Sequence, residues 1–266
     1  MGSRFLTLTR GFLDRRTPGY MIFFVTPFCD CRCPMCFNRQ IIEQAASRKT
    51  LTFDEIETIS RKFTGLHHVN FSGGEPFLRN DFAQIPELFY RNSGTRIFAC
   101  PTNSSRPAKI VEAVRTICAS CPDAWVRITQ SLDGIGSDHD TIRGKPGLFD
   151  CVVELNQELA RLRPELPNLS VGIATVMSKY NAGKEYDLLD YVYDHLEFDD
   201  FGALYVRGDT HDPDARDIDA NSYVTFMETA RKRARSKKKQ SGFTGKLFSA
   251  INATSTDLLM RSIQDD

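Results

Sequence analysis

The chain lacks any apolar run of the roughly 18 residues that a membrane span requires. Its N-terminus, MGSRFLTLTRGFLDRR, has arginines on both sides of a short apolar patch and no small-residue cleavage site, which argues against a secretory signal. Membrane-spanning and secreted proteins are therefore not expected, and we predict a cytoplasmic protein.

An excess of charge of one sign is also lacking. Lys+Arg and Asp+Glu each number 34, so no overall field points to nucleic acid or to an anionic membrane. The one basic run, RKRARSKKK from Arg231 to Lys239, is more typical of the solvated end of a helix than of a polyanion site. Hydrophobic residues make up 41% and charged residues 26%, which is ordinary for a chain that buries a core.

Cysteine is too scarce for a disulfide scaffold, because 8 cysteines are spread over 266 residues. Short spacings in a chain without a secretion signal favour metal ligands in a reducing compartment. Four of the cysteines lie close together in VTPFCDCRCPMCFN, residues 25–38. Cys29, Cys33 and Cys36 have the spacing C-x3-C-x2-C, and Cys31 lies between the first two.

Strand-like and helix-like segments alternate along the chain. The strand-like segments are residues 20–26, 67–74, 96–103, 125–134, 169–178 and 201–209. The first, YMIFFVT, is a continuous apolar run of the kind expected for a strand covered on both faces. After it, Thr52 and Glu55 form a capping box that predicts the start of a helix.

Six βα units in succession predict an α/β fold with a parallel sheet and right-handed crossovers. An α/β barrel, whole or partial, and a doubly wound sheet both satisfy this pattern. No repeat or low-complexity linker interrupts it, so we expect one domain over residues 20–241. Residues 1–19 would be an N-terminal extension and residues 242–266 a C-terminal tail.

The cysteine cluster follows the first predicted strand, and loops after strands form the sites of α/β barrels. Four thiolates would fill every protein position of a [4Fe–4S] cluster and leave an electron carrier. Three thiolates leave one iron with an open position, and an open position lets a metal centre bind and transform a ligand.

Two alternatives for the cysteines remain at this point. A zinc site would pair Cys33 and Cys36 with Cys118 and Cys121, although the intervening segment is far longer than the about 15–20 residues of a zinc ribbon. Cys118 and Cys121 are predicted instead to be small buried side chains. A non-catalytic electron carrier or iron sensor would need a fourth ligand, for which Cys31 is the near candidate.

The cysteine spacing resembles the signature of the radical S-adenosylmethionine (radical SAM) superfamily, and further matches follow in order. SGGEP (72–76) resembles the GGE segment of that family, and TN (102–103) follows the third strand. SLDG (131–134), His139, Asp140 and IRG (142–144) resemble the branch that often carries a C-terminal SPASM-type domain. The resemblance covers about residues 20 to 207. No cysteine occurs in residues 242–266, so we expect the chain to stop before such a domain or to belong to a branch without one.

The resemblance implies a partial (β/α)6 TIM-like barrel with parallel strands. Cys29, Cys33 and Cys36 would hold a [4Fe–4S] cluster, and S-adenosylmethionine would bind its open iron. An electron delivered by a protein such as a flavodoxin or ferredoxin would cleave S-adenosylmethionine into methionine and a 5′-deoxyadenosyl radical, which removes hydrogen from a substrate. Peptide or protein modification and cofactor biosynthesis are both common among such relatives, so the substrate would be a peptide or a small molecule.

The resemblance also implies a set of S-adenosylmethionine contacts. These are Met35, Phe37, Gly73, Gly74, Glu75, Asn103, Ser131, Asp133, Arg143 and Val176. Gly73 and Gly74 would let the backbone approach the ligand closely. Ser131 and Asp133 stand two apart in a predicted strand and so would share one face.

For several candidate residues an alternative role remains. Arg143 would pair with the methionine carboxylate, with a surface salt bridge as its alternative. The residue before the last cysteine is commonly aromatic in the family, whereas here it is Met35 with Phe37 just after, so their adenine contacts need not be stacking. Arg207, Asp209 and His211, beyond the sixth strand, are the candidates for substrate contact, with a solvated loop as the alternative.

Overall fold

The structure, a computed structural model, describes residues 18–238. Apart from residues 18 and 19, the predicted N-terminal extension lies outside this range. Residues 239–241, at the end of the predicted domain and including Lys239 of the basic run, and the predicted tail also lie outside it. The predicted domain bounds stay predictions.

All six strands form one parallel sheet in the order β1-β2-β3-β4-β5-β6. They are Tyr20–Thr26 (β1), His68–Gly73 (β2), Ile97–Thr102 (β3), Trp125–Ser131 (β4), Leu169–Met177 (β5) and Asp200–Tyr205 (β6). A doubly wound sheet reverses its strand order at a switch point, whereas a barrel keeps consecutive strands adjacent. The consecutive order, with β1 and β6 as the two edges of the sheet in residues 18–238, therefore defines the predicted partial barrel.

Helices fill the connections. They are Arg39–Glu43 (α1), Phe53–Lys62 (α2), Ile85–Asn92 (α3), Pro107–Ser120 (α4), Ser137–Arg143 (α5), Leu148–Leu162 (α6), Glu185–His195 (α7) and Ala220–Lys238 (α8). The capping box at the start of α2 is confirmed: the Glu55 N–H donates to Thr52 Oγ1 over 3.2 Å, and the Thr52 N–H donates to Glu55 Oε2 over 2.8 Å. Within residues 18–238, no helix has both the length and the apolar character needed to cross a bilayer.

The core lies between the sheet and the helices. Phe23, Val69, Phe71 and Phe98 from the first three strands pack with side chains of α2, α3 and α4 in one continuous apolar cluster. Smaller clusters join β5 and β6 to α6, α7 and α8. The face of the sheet that packs on helices is therefore the outer face of the barrel.

The prediction that β1 is covered on both faces is wrong. Phe23 and Val25 are buried against the helices, but Tyr20, Ile22 and Phe24 on the opposite, inner face are 47–50% exposed. In the part of the chain that the structure describes, β1 is an edge strand of a sheet that does not close, so no strand on that side covers its inner face. Leu204 on the other edge strand, β6, is 46% exposed in the same way.

The prediction that Ser131 and Asp133 share a strand face is also wrong. Strand β4 ends at Ser131, and Asp133 lies in the following loop. The Asp133 carboxylate, rather than its backbone, accepts the Val176 N–H of β5 over 2.7 Å. The hydrogen-bond ladder between β4 and β5 thus ends where the Asp133 side chain, instead of a backbone carbonyl, accepts a backbone N–H of β5.

Candidate active site

The four clustered cysteines lie in the loop between β1 and α1, which we call the cysteine loop (residues 27–38). It contacts the connections that follow three other strands. Glu75, after β2, donates its N–H to the Phe28 carbonyl over 2.7 Å. Arg32 donates its N–H to the Arg143 carbonyl over 2.7 Å, and Asp212, after β6, donates to the Pro34 carbonyl over 2.9 Å. The loop is therefore fixed by backbone contacts at the carboxyl end of the barrel.

Gly73 and Gly74 stand where two backbones meet. Gly73 has φ +121°, and a Cβ built on it would lie 2.4 Å from the Thr26 carbonyl oxygen. A Cβ on Gly74 would lie 2.1 Å from the Phe28 carbonyl oxygen. Both distances are too short for any side chain, so glycine is required to dock the end of β2 on the cysteine loop. The close approach is to this chain's own backbone, which the sequence interpretation did not anticipate.

Cys31 is the buried centre of the thiol group, with 3% of its surface exposed. Its hydrogen bond to Cys29 lowers the pKa of Cys29 to about 6, against the opposing effect of burial. The bond from Cys31 likewise lowers the pKa of Cys33, and the nearby Arg143 acts in the same direction. These same bonds raise the pKa of Cys31 itself. These hydrogen bonds therefore favour deprotonation of Cys29 and Cys33 over deprotonation of Cys31.

The donor set fits an iron–sulfur cluster better than a single metal ion. Tetrahedral thiolate coordination of one zinc ion places sulfur atoms roughly 4 Å apart. In the described part of the chain, the group of donor atoms within 4.8 Å of one another consists of Cys29, Asp30 and Cys31, not the predicted Cys29, Cys33 and Cys36. A cluster of several irons spans a wider gap than one ion and needs thiolate ligands. The lowered pKa values of Cys29 and Cys33 favour thiolates at these two positions, whereas burial raises the pKa of Cys36, the third predicted ligand, to about 11.

The alternative zinc site finds no support. Cys118 and Cys121 are 3% and 0% exposed and belong to the core between the sheet and α4. Cys33 instead contacts a separate apolar cluster next to the cysteine loop. Burial raises the pKa of Cys118 to about 12 and that of Cys121 to about 11. Both are buried thiols, as predicted.

Glu75 is a buried carboxyl group, 3% exposed, that joins β2 to β3. Its oxygens accept hydrogen bonds from the Asn103 N–H (2.6 Å), the Thr102 hydroxyl (2.9 Å) and the Phe77 N–H (3.2 Å). Burial raises its pKa to about 8, and these hydrogen bonds act in the opposite direction. Glu75 thus holds the ends of two strands together beside the cysteine loop.

Asn103 connects this carboxyl group to the cysteines. Its amide nitrogen lies 2.9 Å from Asp30 Oδ1, 3.1 Å from Cys31 Sγ and 3.9 Å from Cys29 Sγ. Its side-chain Oδ1 accepts a hydrogen bond from the Ser105 N–H over 2.9 Å. The neighbouring Ser104 is buried with φ 66°, the one non-glycine residue with positive φ in the described range. The turn after β3 is thus held in a strained backbone conformation that points Asn103 at the thiols.

Asp133 and Arg143 form a buried ion pair on the other side of the cysteine loop. Asp133 Oδ2 lies 2.6 Å from Arg143 Nε, with side chains 0% and 12% exposed. The contact is an ion pair rather than an aligned hydrogen bond. The predicted alternative for Arg143, a salt bridge, is thus present, but it is buried rather than at the surface.

Two residues without a predicted role hold Asp133 in place. His139 is fully buried, and its Nδ1 accepts the Asp133 N–H over 3.1 Å. Burial lowers the pKa of His139 to about 4. Asn181 donates to the Asp133 carbonyl over 3.2 Å and to the Val176 carbonyl over 2.9 Å. His139 stands in the motif quoted above, whereas no pattern in the sequence marks Asn181.

Met35 and Val176 are brought together in one apolar cluster with Ile142, Val206 and Ala215, and Cys33 packs against it. Met35 is 5% exposed, whereas Phe37 is 48% exposed. The structure therefore separates the two candidates for adenine contact that flank Cys36: Met35 points into the protein and Phe37 toward solvent.

The remaining candidates lie at the mouth of the barrel. Ser131 is the last residue of β4 and pairs in register with Ala174 of β5. Arg207, Asp209 and His211 are all exposed. The His211 N–H donates to the Cys36 carbonyl over 3.3 Å, which places this segment beside the cysteine loop. The roles assigned to these residues stay predictions.

A six-stranded partial barrel with a cysteine loop at its carboxyl end defines the class of protein. The family model described as the radical SAM superfamily matches residues 23–192. The chain therefore belongs to the radical SAM superfamily, whose enzymes use a [4Fe–4S] cluster and S-adenosylmethionine.

Curated relatives match about half of the chain. The GTP 3′,8-cyclase of Pasteurella multocida is 30% identical over 138 residues, which cover 49% of this chain and 41% of the relative. The GTP 3′,8-cyclase of Actinobacillus succinogenes is 38% identical over 143 residues, which cover 51% of this chain and 43% of the relative. The matched segments thus span less than half the length of these relatives.

Solved structures share the fold over most of the chain. Streptococcus suis SuiB has a TM-score of 0.62 and 15% identity, covering 88% of this chain and 50% of SuiB. The anSMEcpe structure with bound AdoMet and Cp18Cys peptide has a TM-score of 0.57 and 15% identity, covering 80% of this chain and 58% of anSMEcpe.

Proposed function

We propose that the chain is a radical SAM enzyme that generates a 5′-deoxyadenosyl radical to abstract hydrogen from a substrate. The observation that carries this proposal is the position of the cysteine loop. It lies at the carboxyl end of the barrel, within the family match, and contacts the connections after β2, β4 and β6. Sites of barrel enzymes are built at this end.

In this proposal Cys29, Cys33 and Cys36 hold the [4Fe–4S] cluster. When bound, the cluster and S-adenosylmethionine supply the electron transfer and the radical, while the protein supplies placement and exclusion of water. The segment Gly73–Glu75, together with Asn103, Ser131, Asp133 and Arg143, would contact S-adenosylmethionine, and Met35 and Val176 would contact its adenine. Phe37 is 48% exposed, so it would contact S-adenosylmethionine from the solvent side of the site.

The chain's own residues hold the cysteine loop in place. Arg32 donates from its guanidinium to the carbonyls of Cys29 (3.3 Å) and Cys31 (3.1 Å), which fixes the loop around the thiols. The apolar side chains of Met35, Ile142 and Val206 form a buried cluster on one side of Cys33, which is itself partly exposed. In low dielectric, charges near the thiols act more strongly than they would in water.

The substrate class is part of the proposal. Arg207, Asp209 and His211 lie beside the cysteine loop and are the proposed substrate contacts. Phe24, near the carboxyl end of β1, and Leu204, near that of β6, are half-exposed apolar side chains on the inner sheet face. Apolar side chains at these two positions favour a peptide with apolar side chains over a nucleoside triphosphate. A nucleotide, as in the curated relatives, is the alternative. A flavodoxin or ferredoxin is the proposed electron donor.

The test is formation of 5′-deoxyadenosine by protein reconstituted anaerobically with iron and sulfide, then given dithionite and S-adenosylmethionine. We expect product from the wild type and none from Cys33→Ala. Cys151→Ala, which removes a half-buried thiol on α6, is the matched control and should retain activity. Addition of GTP should neither stimulate the reaction nor be consumed; a GTP-derived product would replace the peptide proposal by the nucleotide one.

The variant Cys31→Ala distinguishes the proposed enzyme from the alternative, a non-catalytic electron carrier. A three-cysteine enzyme should keep its cluster in this variant, because Cys31 is not among its proposed ligands. Loss of the cluster, together with no binding of S-adenosylmethionine by the wild type, would identify a four-thiolate carrier instead.

A further inference from the structure

Arg143 contacts a predicted cluster ligand with both its backbone and its side chain. Its Nη1 lies 3.9 Å from Cys33 Sγ, and its carbonyl oxygen accepts from the Cys33 thiol over 3.9 Å. Its Nε lies 2.6 Å from Asp133 Oδ2. The guanidinium therefore stands between a buried carboxylate and a cysteine sulfur.

The position of this guanidinium is fixed from both ends. Asp133 is held by the Val176 N–H (2.7 Å) and the Thr175 hydroxyl (3.2 Å). Gly144, directly after Arg143, has φ +63°, and a Cβ built on it would lie 2.7 Å from Arg32 Cβ. The end of α5 is thus packed tightly on the cysteine loop. Arg143 cannot move away from Cys33 without breaking the buried pair with Asp133.

A positive charge beside a cysteine sulfur stabilises the reduced form of an iron–sulfur cluster, because reduction adds one negative charge to the cluster. Reduction potentials of such clusters depend on net charge, on hydrogen bonds to the sulfurs and on solvent exposure. The side chain of Arg143 is 12% exposed, so water screens its charge little.

We propose that Arg143 raises the reduction potential of the cluster that Cys33 holds, and that Asp133 fixes the guanidinium and offsets part of its charge. The step concerned is the transfer of one electron from a low-potential donor to the cluster, with no bond made or broken. The inference rests on the proposed function only in that the cluster must assemble. It is independent of any contact between Arg143 and S-adenosylmethionine.

The test is a redox titration of the reconstituted protein without S-adenosylmethionine, followed by electron paramagnetic resonance of the reduced cluster. In Arg143→Gln the midpoint potential should move to a more negative value, so that less than half of the cluster is reduced at the wild-type midpoint. In Asp133→Asn it should move the opposite way, because the offsetting charge is gone. Shifts of the midpoint in opposite directions identify a charge effect, because structural damage to the site would not make the direction of the shift depend on the sign of the charge removed.

The matched control is Arg127→Gln, which breaks another Arg–Asp pair, with Asp200, at the start of the strands. Its midpoint should equal that of the wild type. Equal midpoints in the wild type and Arg143→Gln, or shifts of the same sign in Arg143→Gln and Asp133→Asn, would overturn the proposal. If Arg143→Gln fails to hold a cluster, the midpoint of Asp133→Asn alone tests the proposal. A midpoint equal to that of the wild type, or more negative, would then contradict it. Failure of the wild type to assemble any cluster would instead reject the proposed function.

Discussion

The two ends of the sheet each contain an arginine–aspartate pair, but the pairs have different surroundings. At the carboxyl end, Arg143 and Asp133 are 12% and 0% exposed and contact Cys33, β5 and the cysteine loop. At the amino end, Arg127 and Asp200 are 20% and 26% exposed and join β4 to β6 across Gly172 of the intervening strand. The Arg143–Asp133 pair belongs to a network that contacts Cys33 and the cysteine loop, whereas the Arg127–Asp200 pair joins two strands. This contrast predicts that substitutions at the carboxyl end alter cluster chemistry, whereas those at the amino end alter stability alone.

The largest effect is expected for the proposed ligands. Alanine at Cys29, Cys33 or Cys36 should each remove most of the iron and the visible absorbance of the reconstituted protein, because the cluster loses one of its thiolates. Iron and sulfide analysis and the absorbance spectrum check this. Cys118→Ala, in the core, is the matched control and should load normally. A variant of the three that loads like the wild type would remove that cysteine from the ligand set.

The next effect is expected at Gly74. Its replacement by Ala places a Cβ 2.1 Å from the Phe28 carbonyl oxygen, so either the cysteine loop or the end of β2 must shift. We expect a loss of about 2–3 kcal/mol in the free energy of unfolding, together with weaker cluster loading. Urea unfolding of the apoprotein and iron analysis measure the two effects.

Gly202→Ala is the control for this substitution, because no atom lies within 4 Å of a Cβ built there. It should change neither stability nor loading appreciably. Equal behaviour of the two glycine variants would mean that the contact between β2 and the cysteine loop does not constrain the site.

The site glycines also mark how far the sequence predicts the structure. The order of elements and the position of the cysteines after β1 follow from apolar runs and from the spacing of Cys29, Cys33 and Cys36, which are local features. The partner of Gly74 is not local, since it lies in a loop more than 40 residues earlier, and so the glycines were interpreted as making room for a ligand. The exposure of the β1 inner face was missed for the same reason: a strand's own residues do not say whether the sheet closes.

Short polar elements were missed for a different reason. Helix α5 has the sequence SDHDTIR, in which only His139 and Ile142 are buried, and so it shows no apolar periodicity. Nevertheless it ends at Arg143, which contacts the cysteine loop. The same limit applies to Asn181, whose hydrogen bonds to Asp133 and Val176 are formed only once β4 and β5 are adjacent.

A smaller effect is expected at the amino-end pair. Arg127→Met removes the ion pair between Arg127 and Asp200 and should lower the free energy of unfolding by about 2 kcal/mol, less than for a fully buried pair because both side chains are partly exposed. The double variant Arg127→Met, Asp200→Leu should recover part of this loss. Cluster loading should equal that of the wild type in both. Loss of the cluster in either would contradict the division between the two ends.

The smallest effect is expected for His68, whose ring lies 4.7 Å from that of Tyr20 at the same end of the sheet. Burial, and then the charge of Arg127, lowers the pKa of His68 to about 4. The unfolded chain, with an ordinary histidine pKa of about 6.5, binds more protons than the folded chain between about pH 6.5 and pH 4. Stability therefore falls as the pH falls through this window, by about 1 kcal/mol between about pH 7 and pH 5.5. His68→Phe keeps an aromatic ring against Tyr20 and cannot titrate, so urea unfolding of the apoprotein should show a correspondingly weaker loss across this interval. Parallel pH profiles for the wild type and His68→Phe would show that His68 is protonated in the folded protein as readily as in the unfolded chain, and the amino end would then be open to solvent.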